Sequence, residues 1–380
     1  MPQALPSAPA GDLQKNDELR SNARGKSGKR DFEPRMLLEA PLMEKQMSVT
    51  MKASWYERTG SATDVLVVGE MARPEPKPGE VLVRVRASGV NPSDVKARAG
   101  TRAGGSGMPF PRIVPHSDGA GVIEACGAGV DRSRIGQRVW LWNGQWQRPF
   151  GTCAEYVSLP AKQAVPLPAN VDDATGASLG IPALTAAHLI FSDGPVRGQT
   201  VLISGAAGTV GILAVQLARL GGAHVIATAR PGADSDRVLA AGAHYVVDYA
   251  SEGLDARVLE ANSSRSVDRI IEVEFGLNID ADAGIIKPRG RIATFGSALR
   301  PRPELPFYTL MFKGVRLEFV LVYLLDDEER ARAISHVNRA LQSGELKVPV
   351  HARFALADVP QAHQTVERGR RTGAVIVEID

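Results

Sequence analysis

Val201-Leu202-Ile203-Ser204-Gly205-Ala206-Ala207-Gly208-Thr209-Val210-Gly211 runs from a compact apolar strand into the start of a helix, with glycines at the bend between them. In that context the glycine spacing has a mechanism. A chain without side chains at the bend lets backbone N–H groups approach a pyrophosphate closely, and the helix starting near Val210 adds unpaired donors and a partial positive charge. Gly211 lets the helix lie close against the strand. Gly205, Ala206, Ala207, Gly208, Thr209, Val210 and Gly211 are therefore candidate contacts to a dinucleotide. A plain tight turn in an α/β protein is the alternative, but the complete strand–loop–helix unit favours the nucleotide reading.

Downstream of this loop the pattern persists. From about Gly180, strand-sized runs alternate with helix-length segments, which predicts βαβ units and a parallel sheet. Thr200–Ser204 would be the first strand and Val210–Leu220 the first helix; His224–Thr228, Tyr245–Val247, Arg269–Val273 and Arg291–Phe295 are apolar runs suited to strands buried on both faces. Val315–Val322 would close the sheet. About 20 residues beyond the loop, a carboxylate at the end of the second strand would accept from a ribose 2′-hydroxyl and repel a 2′-phosphate. This chain has Thr228-Ala229-Arg230 there, and a guanidinium pairs with a phosphate, so NADP(H) is favoured with Arg230 as a contact. The alternative leaves Arg230 in solvent and lets Asp234 reach the ribose.

Upstream, from Met51-Lys52-Ala53, short alternating or β-branched runs are separated by Gly and Pro, predicting a β-rich domain. Val81–Val85 follows Pro78-Gly79, a break at Gly89 leads into an extended or turn segment Asn91-Pro92-Ser93-Asp94, and Ala120–Ile123 and Arg138–Leu141 are further strands. Near the C-terminus, Asp326 and Glu329 form a capping box before Ile334, Val337 and Leu341 at helical spacing. After Gly344 short strand-like pieces ending in Ala374–Val377 are expected to rejoin the β-rich domain, making the nucleotide unit an insertion. Residues 1–47 have a disordered composition, and their acids (Asp12, Asp17, Glu18, Asp31, Glu33, Glu39, Glu44) argue against a mitochondrial presequence.

Composition bounds the function. With 380 residues, about 150 per domain gives two domains. Hydrophobic residues at 44% and charged residues at 23% exclude global disorder. The 45 basic and 42 acidic residues leave only +3, which makes nucleic acid an unlikely partner. Two cysteines, Cys126 and Cys153, exclude a disulfide framework and a four-thiolate zinc site, and fit a reducing, cytoplasmic setting. No run reaches the roughly 18 apolar residues of a membrane span.

Taken together, Met51-Lys52-Ala53, Pro78-Gly79-Glu80-Val81-Leu82-Val83, Gly89-Val90-Asn91-Pro92-Ser93-Asp94, Ser117–Val122, Gly151–Tyr156, Leu184-Thr185-Ala186, the glycine loop, Gly242-Ala243 with Asp248-Tyr249, and Lys287–Arg291 resemble the zinc-independent quinone oxidoreductases of the medium-chain dehydrogenase/reductase superfamily, the zeta-crystallin group. The resemblance implies an α/β protein with a doubly wound parallel Rossmann sheet inserted in a GroES-like β-rich domain. A GroES-like substrate domain would span 51–178, a Rossmann NADP-binding domain 179–322, and a C-terminal return to the GroES-like domain 323–380, with NADPH in the cleft. It also implies that Asn91 sits beside the nicotinamide as a positioning residue, that Thr185 offers a hydroxyl near the nicotinamide ribose or carboxamide, and that Tyr249 packs on the adenosine side. Zinc-dependent relatives carry Cys where Asn91 stands and His where Ser117 stands, so no metal is expected, and His116 alone makes no site.

Two departures from the family pattern stand out. Thr209 replaces a second glycine, and Ala374 a lysine that contacts the cofactor, with Arg371 nearby as a replacement charge. Trp140, Trp142 and Trp146 either line a flat acceptor site or serve as core. The function implied is NADPH-dependent reduction of a quinone without metal; an enone or alkenal double-bond reductase and a non-catalytic NADPH-binding protein are the alternatives. A homodimer paired at the Val315–Val322 edge is expected.

Overall fold

In the computed structural model, which describes residues 49–102 and 107–380, the alternating runs of the second half build a parallel sheet and the first half builds an antiparallel one. The expectation of disorder for residues 1–47 lies outside the described residues. Strands β1 (Thr50–Trp55) and β2 (Val67–Ala72), joined through the one-turn helix α1 (Ala62–Val65), form a separate antiparallel pair. β3 (Glu80–Val90) leads through α2 (Pro92–Ala99) to β4 (Asp118–Cys126), β5 (Arg138–Leu141), β6 (Tyr156–Pro160) and β7 (Ala164–Pro166). A short α3 (Asp173–Gly176), a π-helical turn (Leu179–Ala183) and α4 (Leu184–Phe191) then carry the chain to β8 (Thr200–Ile203). There the strict alternation begins: α5 (Thr209–Leu220), β9 (His224–Ala229), α6 (Ala233–Ala240), β10 (Tyr245–Asp248), α7 (Leu254–Ala261), β11 (Val267–Glu272), α8 (Phe275–Ile285), β12 (Ile286–Thr294), α9 (Phe307–Lys313) and β13 (Arg316–Phe319). The chain ends with α10 (Asp327–Gln342), β14 (Val350–Ala355), α11 (Val359–Glu367) and β15 (Ala374–Glu378).

The parallel sheet has the order β10-β9-β8-β11-β12-β13, the doubly wound Rossmann arrangement, whose direction of winding reverses between β8 and β11. A ligand crevice opens outside the carboxyl ends of those two strands. The second sheet runs β14-β15-β3-β4-β5-β7, with β6 also pairing β3. β15 pairs antiparallel with β3, so the last strand does rejoin the β-rich half and the parallel sheet lies between two parts of it in sequence.

Three local expectations are corrected. Gly89 does not break β3 but lies inside it; a Cβ there would fall 2.0 Å from the Ala177 carbonyl oxygen, so glycine allows β3 to touch the segment leading to α4. Asn91-Pro92-Ser93-Asp94 is the start of helix α2 rather than an extended turn. Pro92 takes the first helical position, where a missing N–H costs nothing, and the Asp94 carboxylate reaches back 2.8 Å to the Asn91 N–H. Finally, the return begins at Val350, not at 323. α10, with the capping box at Asp326 and Glu329, buries Ala333, Val337 and Leu341 in the core around the parallel sheet and packs on α4. Between β14 and β15 the chain forms helix α11, not only strands; Val359, Ala362, His363 and Val366 are its buried face at helical spacing.

Candidate active site

The glycine loop occupies the carboxyl end of β8 beside that of β11. Gly205 has a φ of 61°, and a Cβ on it would lie 2.7 Å from Val273 Cγ1, just past β11, so no other residue fits. At Gly211 a Cβ would come within 2.7 Å of Ala206 Cα, so the residue this glycine brings close to the helix is in the loop rather than in the strand. Gly208 is different: the nearest protein atom to its absent Cβ is the Gly205 carbonyl oxygen at 3.4 Å. The protein itself leaves room there, and that side of Gly208 faces the cleft. Thr228 fastens the loop, its hydroxyl accepting from the Gly205 N–H at 3.0 Å and its carbonyl from the Ala206 N–H at 2.9 Å. The first-turn N–H groups of α5 have no intrahelical acceptor and point into the cleft.

On the β9 side of the loop a cavity of about 320 Å³ is walled by Thr228, Arg230, Asp234, Arg237 and Tyr249, and closed by Arg370 and Arg371 from the loop before β15. Arg230 and Arg237 both grip Asp234, at 2.6 and 2.5 Å. Burial would raise the Asp234 carboxyl, but the hydrogen bonds from Arg237 and Arg230 outweigh it and hold the group below its usual range. Asp234 is thus a charged clamp on two arginines. Four guanidiniums face one carboxylate in this cavity, a balance that suits a multiply charged phosphate ester. Arg371 is partly buried, which lowers its pKa, and has no ion-pair partner among the described residues.

Toward the antiparallel sheet the crevice continues into a chamber of about 190 Å³ that shares Gly205, Gly208, Thr209 and Arg371 with the first and adds Asn91, Pro92, Val273 and Phe295. The Asn91 amide donates to Asp118 Oδ2 at 2.8 Å, and the same oxygen accepts the Ile181 N–H at 3.0 Å. Asp118 is fully buried at the start of β4; its Oδ1 has no partner, and a Cβ on Gly180 would collide with it at 2.3 Å. Burial pushes its carboxyl well above the ordinary value, against the two hydrogen bonds that Oδ2 accepts. Thr185 does not line the chamber. Its hydroxyl donates to the Ile181 carbonyl at 2.6 Å across the π-helical turn, so its part is to hold Ile181 and, through it, Asp118.

Helix α2 starts in this chamber, and its last turn walls a third one of about 560 Å³, lined by Tyr56, Arg102, Met108, Phe110, Ile113 and Trp146. By the helical rise, Pro92 and Ala97 are only about 7 Å apart along α2. Of the three tryptophans near β5, only Trp146 faces this space. Trp140 is wholly buried with its indole N–H on Asn338, and Trp142 lies under the Arg330 guanidinium in the core. Trp146 stacks on Tyr323 at 4.4 Å, and the Arg102 guanidinium sits 4.7 and 5.3 Å from those two ring centres. The Tyr323 hydroxyl donates to Ser93 Oγ at 3.0 Å, bridging the third chamber to the start of α2. Arg102, Tyr323, Asp118, Arg237 and Arg370 were not singled out from the sequence; only the charge of the arginines was visible there.

The chain matches two family models, the alcohol dehydrogenase GroES-like domain over residues 77–169 and the zinc-binding dehydrogenase over residues 209–339. It is 31% identical over 310 residues to the quinone oxidoreductase of Sus scrofa, an alignment covering 81% of this chain and 92% of that protein. The native structure of a mycobacterial quinone oxidoreductase superposes with a TM-score of 0.78 at 29% identity, covering 87% of this chain and all of that one. A mycobacterial protein complexed with NADPH superposes at 0.75, also 29% identical and over 87% of this chain. The zinc in the second model's description finds no donor set in this cleft. Asn91 and Ser117 offer an amide and a hydroxyl. The His116 imidazole is buried with both nitrogens engaged, Nδ1 by Ser88 Oγ at 2.9 Å and Nε2 by His363 at 2.9 Å. Among the described residues no three His, Cys, Asp or Glu side chains converge.

Proposed function

The chain belongs to the quinone oxidoreductase family of the medium-chain dehydrogenases/reductases, an oxidoreductase fold, and on that premise we propose that it uses NADPH to reduce a quinone-type acceptor without a metal. The observation that carries the proposal is a crevice in which an arginine-rich pocket leads into a glycine-lined helix start, with an apolar aromatic chamber at the other end of α2. The dinucleotide, when bound, supplies the hydride.

Each part of the work left to the protein has a residue. The first turn of α5 and the open side of Gly208 receive the pyrophosphate, and Arg371 neutralises it from the opposite wall. Arg230 and Arg370 meet the 2′-phosphate, while Asp234, held by two arginines, is not free to accept from a 2′-hydroxyl. Tyr249 packs at the adenosine end. Asn91, fixed by its hydrogen bond to Asp118, orients the nicotinamide end, and Thr185 supports that arrangement from behind. In the acceptor chamber Trp146 offers a flat face, and Arg102 stabilises the negative charge that develops on the acceptor oxygen. A quinone takes its final proton from water, so no side-chain acid is required.

The test is NADPH oxidation against 1,4-quinones and conjugated enones side by side, with products identified. Quinone turnover well above enone saturation is the expected result. Faster enone saturation transfers the assignment to double-bond reduction, and tight NADPH binding with no oxidation by either class reduces it to a binding protein. NADH that binds as tightly as NADPH would overturn the cofactor assignment.

The same reading includes a homodimer. β13 is the free edge of the parallel sheet, and beside it Phe312 and Phe319 are 82% and 71% exposed, with Tyr308, Leu321 and Leu324 also open to solvent. So much aromatic surface at one sheet edge suits a second copy. Sedimentation should give a dimer that Phe312→Glu converts to monomer; a parent protein that sediments as monomer removes this part.

A further inference from the structure

At the opposite ends of α4 and α5 from the cleft, these two helices and α10 border a further cavity of about 520 Å³. Its floor is apolar. Phe191 ends α4, Leu217 and the part-exposed Leu220 end α5, and the His336 ring of α10 stacks on Phe191 at 4.0 Å and 13°. Burial, with Arg339 adding to it, lowers the His336 pKa, so that ring is a neutral part of the floor. The rim is cationic: Arg197 comes from the loop before β8 and Arg332 and Arg339 from α10. Arg332 has a loose partner, Glu328 at 3.5 Å, whereas Arg197 and Arg339 have no ion pair among the described residues. The single acidic side chain on the wall, Glu345, already accepts a hydrogen bond from Ser343 Oγ at 2.6 Å.

An apolar floor of ligand size under three guanidiniums is complementary to a molecule with a hydrocarbon body and one anionic head. Guanidinium forks match a carboxylate in particular, and two of these three have no ion pair among the described residues. The geometry points to a second binding site here for an amphipathic carboxylate, an alkyl chain of about ten carbons being the size of the floor. It is separate from the crevice, although α4 and α5 each begin at the crevice and end at this cavity; α5 alone spans about 18 Å between them. The inference is independent of which acceptor the crevice reduces.

The probe is sodium decanoate, titrated by calorimetry below its micelle concentration into the full chain already saturated with NADPH. One saturable site per chain is expected, with 1-decanol, which lacks the charge, binding at least about tenfold more weakly. Arg339→Glu and Arg197→Glu should each weaken decanoate about tenfold while leaving NADPH affinity unchanged, which also reports that the variants are folded. Leu220→Glu, at the solvent edge of the floor, should weaken it as well. Absence of saturable binding overturns the site. So does binding that NADPH displaces, that decanol matches, or that neither arginine variant alters.

Discussion

The two halves of the crevice are built from different material. On the nucleotide side the arginines stand around a frame of backbone: a loop whose glycines are fixed by φ at Gly205 and by packing at Gly211, fastened to its neighbour strand by Thr228. On the acceptor side they are side chains borrowed from distant segments. Asn91 comes from the end of β3, Asp118 from β4, Ile181 from the π-helical turn, and Trp146 and Tyr323 from loops almost 180 residues apart. A backbone site tolerates little change of shape but is indifferent to most chemistry around it. A side-chain site depends on a few hydrogen bonds and charges, each of which can be exchanged without disturbing the fold. The difference teaches where cofactor binding and acceptor choice can be altered separately.

The contrast is broken most strongly at Gly205. Valine there is expected to cost about 3 kcal/mol of stability, because it combines a left-handed φ with a collision at Val273, and to abolish NADPH binding. Denaturant unfolding and fluorescence titration measure the two effects, and a variant that keeps both near parent values contradicts the account of the loop. Next in size, the double change Arg230→Ala and Arg370→Ala should raise the Kd for NADPH about a hundredfold and that for NADH far less, since two charge-assisted contacts to the 2′-phosphate are lost. An equal loss for both cofactors would mean that the arginines do not read the 2′-phosphate.

Finer changes sharpen the comparison. Gly208→Ala puts a methyl where the protein leaves room and a phosphate is expected; NADPH should bind about tenfold more weakly while thermal stability stays put. Asn91→Ala should lower kcat about tenfold with less than about a threefold change in the Kd for NADPH, separating positioning from binding in steady-state and equilibrium measurements. The smallest effect concerns Asp94, which α2 buries beneath the acceptor side. Burial raises its carboxyl from 3.8 to about 7. Between those values the folded chain keeps a proton that the unfolded chain has released, so this group makes stability fall as pH rises through the window. Asp94→Asn keeps the acceptor for the Asn91 N–H and lacks the charge. Its melting temperature should therefore gain on the parent between pH 5 and pH 8, and a constant difference would refute the assignment.

Sequence patterns carried the nucleotide half because each of its features is local. A buried strand, a glycine bend and a helix follow one another within eleven residues, and the strands of the parallel sheet match the apolar runs to within a few residues. Local reading failed where tertiary contact decided the outcome. Gly89 read as a break because its reason, contact with Ala177, lies almost ninety residues away. The segment from Asp326 read as part of the return because its capping box announces a helix but not its neighbour, and α4 is that neighbour. Three tryptophans within seven residues left an acceptor face and a core role equally open; β5 alternation and the bend after it send two of them into the core and one to the chamber.

By itself, then, the order of residues determined a doubly wound sheet, a glycine bend into a helix start and a cationic rather than acidic second-strand end, since strand, bend and helix are set by short-range sterics and periodicity. Only folding decided that Thr185 faces inward, that Asp234 is clamped by arginines, that Arg370 and Arg371 close the cavity and that Arg102 lies over Trp146 and Tyr323. Those arrangements depend on side chains brought together across long loops, where burial and pairing, not neighbours in the chain, fix each group's orientation and charge.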